Sequence, residues 1–167
     1  YLNCDIPVIR VMPNTPAMVG QGMAAVCSNN LVSQAQREDV LAVFRSFGRA
    51  EEVAESLFDV VTAVSGSSPA YVYLFIEAMA DAAVAGGMPR GLAYTFCAQA
   101  VAGSARMVLE TGKHPGELKD MVCSPGGTTI DAVMELEERG MRSAVQNAVM
   151  VCMRKSKSMG KQQEDAV

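Results

Sequence analysis

The stretch SSPAYVYLFIEAMADAAVAGG, residues 67–87, decides the fold of this chain. Ser68 before Pro69 suits an N-cap and a first helical turn, and Gly86 with Gly87 suits the end of a helix. Between these signals apolar residues fall on nearly every side of the predicted helix, and such a helix must be covered on several sides by others. The sequence therefore predicts a helical protein in which a partner subunit is the simplest source of the missing cover.

Charge and composition narrow the function classes. Glu77 and Asp81 stand near the middle of the same apolar stretch, which argues against a membrane span. Of the 167 residues 50% are hydrophobic and only 5% aromatic, a composition typical of close-packed helices. The formal net charge is -4, and the one short basic run, at 154–161, is better suited to the end of a helix than to nucleic acid.

The cysteines favour a reducing compartment. They are five in number and show no CxxC spacing, and they are Cys4, Cys27, Cys97, Cys123 and Cys152. Neither a disulfide framework nor a zinc site follows from this pattern, and we expect no bound metal. No signal peptide is visible, so we expect a cytoplasmic protein. The first residue is Tyr1 rather than Met, and we expect the chain to be the interior of a longer protein.

Residues 1–54 read as mixed α/β. The β-branched run PVIRVM, at 7–12, predicts a buried strand, and two further strands are predicted at 22–28 and 49–54. A helix is predicted over 33–48, capped by Ser33 and ended by Gly48. This strand–strand–helix–strand order is that of the final part of a larger sheet.

From residue 55 onward the pattern is helical. Thr128 and Asp131 are spaced as a capping box, and Gly140 is placed to end the helix that follows. The helices predicted in this part of the chain, from their apolar spacing and glycine stops, are 57–66, 69–85, 89–112, 114–123, 129–140 and about 142–159.

The loop SPGGTT, residues 124–129, is a candidate anion site. Two glycines before a helix let a ligand approach the backbone closely. The first N–H groups of a helix have no internal partner and carry partial positive charge, which suits a carboxylate or phosphate. Ser124, Thr128 and Thr129 add hydroxyl groups. From these residues alone, a tight turn with an ordinary threonine cap explains the loop equally well.

Three other motifs allow structural interpretations. GQGMAA, at 20–25, fits a dinucleotide pattern, but a proline-containing loop precedes it and a strand follows, so we interpret the match as coincidence. His114, the only histidine, is more easily a structural residue than an acid or a ligand, and Cys123 is interpreted as a packing residue. MPNTP, at 12–16, is either a ligand-binding loop at the carboxyl end of a parallel strand or a proline-fixed turn.

Several segments together resemble one family. HPGELKDMVCSPGGTTIDAVMELEE, RVMPNTPAMV, AVSGSSPAYVYLFIEAMADAAV and GGMPRGLAYTFCAQAV are similar to segments of pyrroline-5-carboxylate reductase, the last enzyme of proline biosynthesis. The resemblance covers nearly the whole chain and is close to the bacterial enzymes. It favours a functional interpretation of the loop at 124–129.

The resemblance implies a mainly α fold in two parts. Residues 1–54 would be the C-terminal tail of a Rossmann-type α/β domain that binds NADPH or NADH, and residues 55–167 a helical dimerisation and substrate domain. It implies a homodimer or higher homo-oligomer that binds a small molecule, without nucleic acid or membrane as partner. The glycine-rich fingerprint of the nucleotide domain is absent from these residues, so we expect this chain by itself to be inactive.

The resemblance also implies roles for single residues. Thr129 matches the threonine that hydrogen-bonds the ring nitrogen of the cyclic imine substrate, and it is the predicted catalytic residue, with a role in orientation and proton relay. The predicted substrate-binding residues are Ser124, Gly126, Gly127, Thr128 and Thr129. The predicted cofactor-binding residues are Met12, Pro13 and Asn14. Two alternatives stay open: a non-catalytic helical dimer that binds a small carboxylate, and a related imine or β-hydroxyacid reductase.

Overall fold

A computed structural model describes residues 5–164 of the chain, with side chains up to residue 160. Cys4 lies outside the described residues. The chain divides into two compact units: the first contains the chain up to Tyr71 and again from Asn147, and the second is Val72–Gln146. These compact units are not the predicted domains. The domain boundary that we expect between residues 54 and 55 stays a prediction.

The first unit contains a three-stranded sheet of mixed direction. Its strands, in spatial order, are β1 (Ile9–Met12), β2 (Gly22–Ser28) and β3 (Gly48–Glu52). β1 runs antiparallel to β2, and β2 runs parallel to β3. All three predicted strands are confirmed, but the prediction that the first is buried is wrong. β1 is an edge strand of the described sheet, and its residues are half-buried or exposed.

One helix covers this sheet. α1 (Gln34–Arg45) begins with a complete capping box: the Ser33 hydroxyl accepts from the Gln36 N–H, and the Gln36 side chain accepts from the Ser33 N–H. The predicted stop at Gly48 is wrong, because the helix ends three residues earlier and Gly48 already pairs with β2. The core beneath the helix is formed by Ala24, Val26, Leu41 and Ala50.

A chain of short turns leads from the sheet into the long helices. A 3-10 turn at Glu55–Leu57 is followed by α2 (Phe58–Val61) and then by a π-helical turn at Thr62–Gly66. The Ser67 N–H closes that turn by donating to the Thr62 carbonyl at 2.8 Å. α3 (Ser68–Ala85) starts after the single intervening residue Ser67. The predicted cap at Ser68 is therefore wrong, since the helical chain already runs through the preceding residues.

The remaining elements are all helices, which confirms the mainly helical fold class. They are α4 (Arg90–Thr111), α5 (Pro115–Val122), α6 (Thr128–Glu138) and α7 (Met141–Glu164). Gly112 ends α4 in the left-handed conformation at φ 65°, as its position in the sequence predicts. Among the described residues, no helix has the length and apolarity needed to cross a membrane.

The second unit has little core of its own. Within Val72–Gln146 the only buried hydrophobic residues are Ala80 and Ala93. Larger apolar side chains stay exposed, among them Leu74 at 67%, Phe96 at 60% and Met134 at 64%. Burying one such side chain stabilises a protein by about 1.5–3 kcal/mol, so this surface is costly for an isolated chain to leave in water.

Candidate functional site

The backbone before α6 folds into a tight turn that only glycine permits. The Gly127 N–H donates to the Ser124 carbonyl at 3.0 Å, with Pro125 and Gly126 at the two central positions. Gly126 has φ 66°, in the left-handed region that favours glycine. Proline followed by a residue with positive φ is the arrangement of a type II turn. The sequence SPGG thus fixes the direction in which the chain enters α6.

The N-terminus of α6 has no side-chain cap. The helix begins at Thr128, with Gly127 as its N-cap residue, and no side chain accepts from its first N–H groups. The predicted capping box of Thr128 and Asp131 is therefore wrong. It required Thr128 to stand before the helix, whereas Thr128 is its first residue.

The donors left at this helix start can be identified. The Gly127 N–H is used by the turn, while no backbone or side-chain acceptor among the described residues takes the N–H groups of Thr128 and Thr129. These groups carry the partial positive charge of the helix terminus. A carboxylate placed there would meet at least two donors that the fold leaves open.

A hydroxyl group lies over the same backbone. A Cβ atom added to Gly127 would come within 2.4 Å of the Ser124 Oγ and 3.1 Å of the Ser124 carbonyl oxygen. Gly127 therefore has no room for a side chain while Ser124 keeps this position. Ser124 and Thr128 are exposed and Thr129 is half-buried, so the hydroxyl groups and open N–H groups border accessible space. The structure thus brings together all the predicted substrate-binding residues at one helix start.

The predicted cofactor-binding residues lie in the first unit. Met12 is the last residue of β1, Pro13 is exposed, and Asn14 is half-buried just before a short 3-10 turn. The ligand-loop interpretation assumed the end of a parallel strand; among the described strands, β1 pairs only with β2, and antiparallel. Their role in binding a cofactor stays a prediction.

The dinucleotide-like stretch at 20–25 has no phosphate cradle. It enters β2 rather than a helix. A Cβ atom added to Gly22 would lie 2.9 Å from the Ala17 Cβ, and one added to Gly48 would lie 2.1 Å from the Gly22 carbonyl oxygen. These glycines allow close approach of the chain to itself, in agreement with the interpretation of the motif as coincidence.

His114 and Cys123 have structural positions at the two ends of α5. The His114 Nδ1 accepts from the Gly116 N–H at 3.0 Å, so the histidine is the N-cap of that helix. The Cys123 N–H donates to the Asp120 carbonyl at 3.1 Å, where the helix ends. The His114 cap agrees with the structural interpretation of that residue, while the packing role of Cys123 stays a prediction.

Sequence reasoning missed a polar cluster where α7 meets the π-turn region. The Cys152 thiol donates to the Ser67 Oγ at 3.3 Å, and the Ser156 hydroxyl donates to Asp59 at 2.6 Å. A hydrogen bond with Cys152 raises the pKa of the Tyr71 hydroxyl. These partners lie far apart along the chain, and no motif in the sequence connects them.

Comparison with known proteins identifies the family of the helical part. The family model described as "Pyrroline-5-carboxylate reductase dimerisation" matches residues 55–159. The chain belongs to this family.

Curated relatives extend the similarity to nearly all of the chain. Pyrroline-5-carboxylate reductase of Escherichia coli K12 is 62% identical over 160 residues, which cover 96% of this chain and 60% of the relative. The Synechocystis enzyme of the same name is 49% identical over 157 residues, covering 94% of this chain and 59% of the relative. The chain thus spans about 60% of the length of these relatives.

Solved structures of pyrroline-5-carboxylate reductases share the fold. The Plasmodium falciparum protein, which was solved with NADP bound, superposes with a TM-score of 0.88 at 40% identity, covering 93% of this chain and 63% of that one. The Streptococcus pyogenes enzyme gives a TM-score of 0.87 at 42% identity, covering 92% of this chain and 60% of that one.

Proposed function

We propose that the chain is part of an enzyme that reduces 1-pyrroline-5-carboxylate to L-proline with NADPH or NADH. The names of its relatives and its membership of the dimerisation family support this proposal. The structural observation that carries it is the uncapped start of α6, where open N–H groups and the Ser124 hydroxyl surround a glycine backbone.

On this proposal the α6 start binds the substrate carboxylate. The N–H groups of Thr128 and Thr129 donate to its oxygens, and the Ser124 hydroxyl adds a third donor. Hydrogen bonds to a charged group are worth about 1.5–3 kcal/mol each, so three donors account for substantial affinity. Gly126 and Gly127 contribute by having no side chain that would fill the carboxylate position.

Thr129 would then orient the reacting end of the substrate. Its own N–H is one of the carboxylate donors, and its half-buried side chain stands in the first helical turn. Its hydroxyl is assigned a hydrogen bond to the ring nitrogen and the relay of a proton from water to that atom. A threonine hydroxyl is too weak an acid to act alone, so positioning is the larger part of this role.

The residues proposed here to bind the cofactor lie beside its nicotinamide end. When bound, its nicotinamide supplies a hydride to the carbon of the C=N bond. The segment Met12–Asn14, with Pro13 exposed, is proposed to lie beside that ring. No phosphate cradle is present among residues 20–25, because Gly22 packs against Ala17. Met12–Asn14 is therefore assigned to the nicotinamide, and residues 20–25 are not assigned to the phosphates.

We propose a homodimer as the smallest assembly. The family model that matches residues 55–159 is named for dimerisation, which supports a homo-oligomer. The exposed apolar side chains of α3 and α4, such as Leu74 and Phe96, provide the surface. Light scattering should give at least twice the mass of the protomer. A stable folded monomer at micromolar concentration would contradict this part of the proposal.

A reducing compartment fits the thiols. Cys27, Cys97, Cys123 and Cys152 are all unpaired in the structure. This supports the proposal of a cytoplasmic enzyme, in which thiols stay reduced.

The deciding experiment is an assay of the full-length protein. We expect oxidation of NADPH or NADH with pyrroline-5-carboxylate. In the reverse direction, we expect no reduction of the oxidised cofactor by an acyclic β-hydroxy acid. Activity with the hydroxy acid alone would assign the protein to a related reductase. Binding of a small carboxylate without turnover of either compound would leave a non-catalytic helical module.

A further inference from the structure

The side chain of Asn14 connects three elements of the first unit. Its Oδ1 accepts from the Met23 N–H of β2 at 2.9 Å. Its Nδ2 donates to the Ser65 carbonyl at 3.2 Å and approaches the Ser65 Oγ at 3.4 Å. The residue itself follows β1 by one position. One half-buried amide thus holds the segment after β1 against both β2 and the turn that contains Ser65.

The turn that contains Ser65 is an unusual element. Thr62–Gly66 is π-helical, a rare conformation that occurs mostly as single turns and frequently at functional sites. A Cβ atom added to Gly66 would lie 3.7 Å from the Met12 sulfur. Asn14 therefore bonds to this turn, and the Met12 sulfur lies beside it.

We propose that Asn14 is a positioning residue that acts through the chain around it rather than by touching the cofactor. Both polar atoms of its amide already form hydrogen bonds inside the protein, with the backbone of Met23 and of Ser65. Its effect is to fix Met12 and Pro13 at the end of β1. This inference rests on the proposed function, in which the nicotinamide lies beside those residues.

Asn29 provides a matched control at the opposite end of β1. Its Oδ1 accepts from the Val8 N–H at 3.2 Å, and its Nδ2 donates to the Ile6 carbonyl at 2.8 Å. Like Asn14, it joins the chain near β1 to the chain near β2 through its amide. It differs in that it follows β2 and holds the segment before β1, at the end of β1 away from Met12.

The experiment compares Asn14→Ala with Asn29→Ala in the full-length enzyme. A displacement of about 1 Å in a positioning element can cost a hundredfold in rate, so we expect kcat of the Asn14 variant to fall about tenfold or more. The KM for pyrroline-5-carboxylate should change little. Asn29→Ala should leave kcat and both KM values within about twofold, because its bonds fix backbone away from Met12 and Pro13.

A readout that does not depend on turnover separates this inference from the proposed function. Amide hydrogen exchange in the full-length protein should show lost protection at Met23 in Asn14→Ala and not in Asn29→Ala. The fluorescence of bound NADPH should differ from that of the wild type in Asn14→Ala alone. If the wild type binds NADPH but does not reduce pyrroline-5-carboxylate, the proposed function fails, and this fluorescence comparison still decides the role of Asn14.

Two further outcomes are decisive. Asn14→Asp keeps the acceptor for the Met23 N–H but sets an oxygen against the Ser65 carbonyl, so it should lose kcat as Asn14→Ala does. Ser65→Ala keeps that carbonyl and should remain close to the wild type. The positioning role is overturned if Asn14→Ala retains wild-type kcat and NADPH fluorescence, or if Asn29→Ala loses kcat to the same extent.

Discussion

The starts of α1 and α6 solve the same physical problem in opposite ways. At α1, Ser33 and Gln36 satisfy each other's backbone N–H groups within the chain. At α6, Gly127 occupies the cap position and no side chain closes the first turn. A cap of the α1 kind is worth about 1 kcal/mol, so α6 gives up a common source of stability. On the proposed function, these open donors of α6 are kept for a ligand.

The largest effect is expected when α6 is given a side-chain cap like that of α1. Gly127 has φ -84° and ψ 163°, an extended conformation that an aspartate N-cap adopts without strain. In the full-length enzyme we expect Gly127→Asp to lower kcat/KM for pyrroline-5-carboxylate roughly a thousandfold, since like charges at a binding site cost several kcal/mol. The melting temperature should change little. The exposed Ser124 hydroxyl can rotate away, and the Ser124 carbonyl oxygen, 3.1 Å from the new Cβ, needs only a small shift, which the new cap offsets. Steady-state kinetics and thermal unfolding measure both effects.

Gly127→Asn is the matched control for charge. It adds a side chain of nearly the same shape that fills the same space and caps without a negative charge, so kcat/KM should fall clearly less than in Gly127→Asp. Equal losses in the two variants would mean that bulk rather than charge excludes the substrate. Unchanged kinetics in both would contradict an anion site at α6.

The second prediction concerns the hydroxyl group in the first turn. In the full-length enzyme, Thr129→Ala should lower kcat about a hundredfold, roughly 3 kcal/mol, if the hydroxyl is aligned in the transition state. The fold and the oligomer should survive, because alanine is a good helix former and this residue caps nothing. Steady-state kinetics with circular dichroism provide the measurement.

Thr129→Ser and Thr128→Ala sharpen that result. The serine variant retains a hydroxyl and should recover most of the activity, whereas Thr128→Ala removes an exposed hydroxyl beside the site and should cost much less. An unchanged kcat for Thr129→Ala would reduce the loop to a turn with spare hydroxyl groups.

The smallest effect is expected at the capped helix. Ser33→Ala removes the acceptor for the Gln36 N–H and should lower the free energy of unfolding by about 1 kcal/mol. Reductase kinetics should not change, because α1 caps itself and offers nothing to a ligand. Denaturant titration gives the stability, and Ser33→Asp, which preserves a cap, should restore it. A kinetic defect in Ser33→Ala would contradict the division of roles between the two helices.

The same two helix starts show how far sequence reasoning reaches. The start of α1 was predicted correctly from Ser33 alone, and the structure adds Gln36 as its reciprocal partner. Thr128 and Asp131 have the same spacing, yet α6 begins at Thr128 itself, because the glycine turn delivers the chain in helical conformation one residue sooner. Spacing alone cannot separate a cap residue from the first helical residue. The clustering of hydroxyls and glycines was predicted, and open donors were one of two interpretations that the sequence left equal. The structure removes the other interpretation, an ordinary threonine cap, because no side chain caps α6.

Contacts across long separations were beyond the sequence altogether. The bonds from Asn14 to Ser65 span 51 residues, and the bond between Cys152 and Ser67 spans 85. Neither has a periodic or compositional signal. The antiparallel pairing of β1 was missed for a related reason, since a run of β-branched residues predicts a strand and not the direction of its neighbour. The predicted roles of the site residues came from family resemblance and await the experiments above.

The small core of Val72–Gln146 has a consequence for how the protein assembles. A unit whose only buried hydrophobic residues are two alanines gains most of its stability from a second chain, if the proposed dimer is correct. Its melting temperature is then expected to rise with protein concentration, because association and folding share one equilibrium. Dilution would unfold these helices rather than release a folded monomer. Refolding would accordingly include a second-order step, and newly made chains would have to meet before their helices become stable.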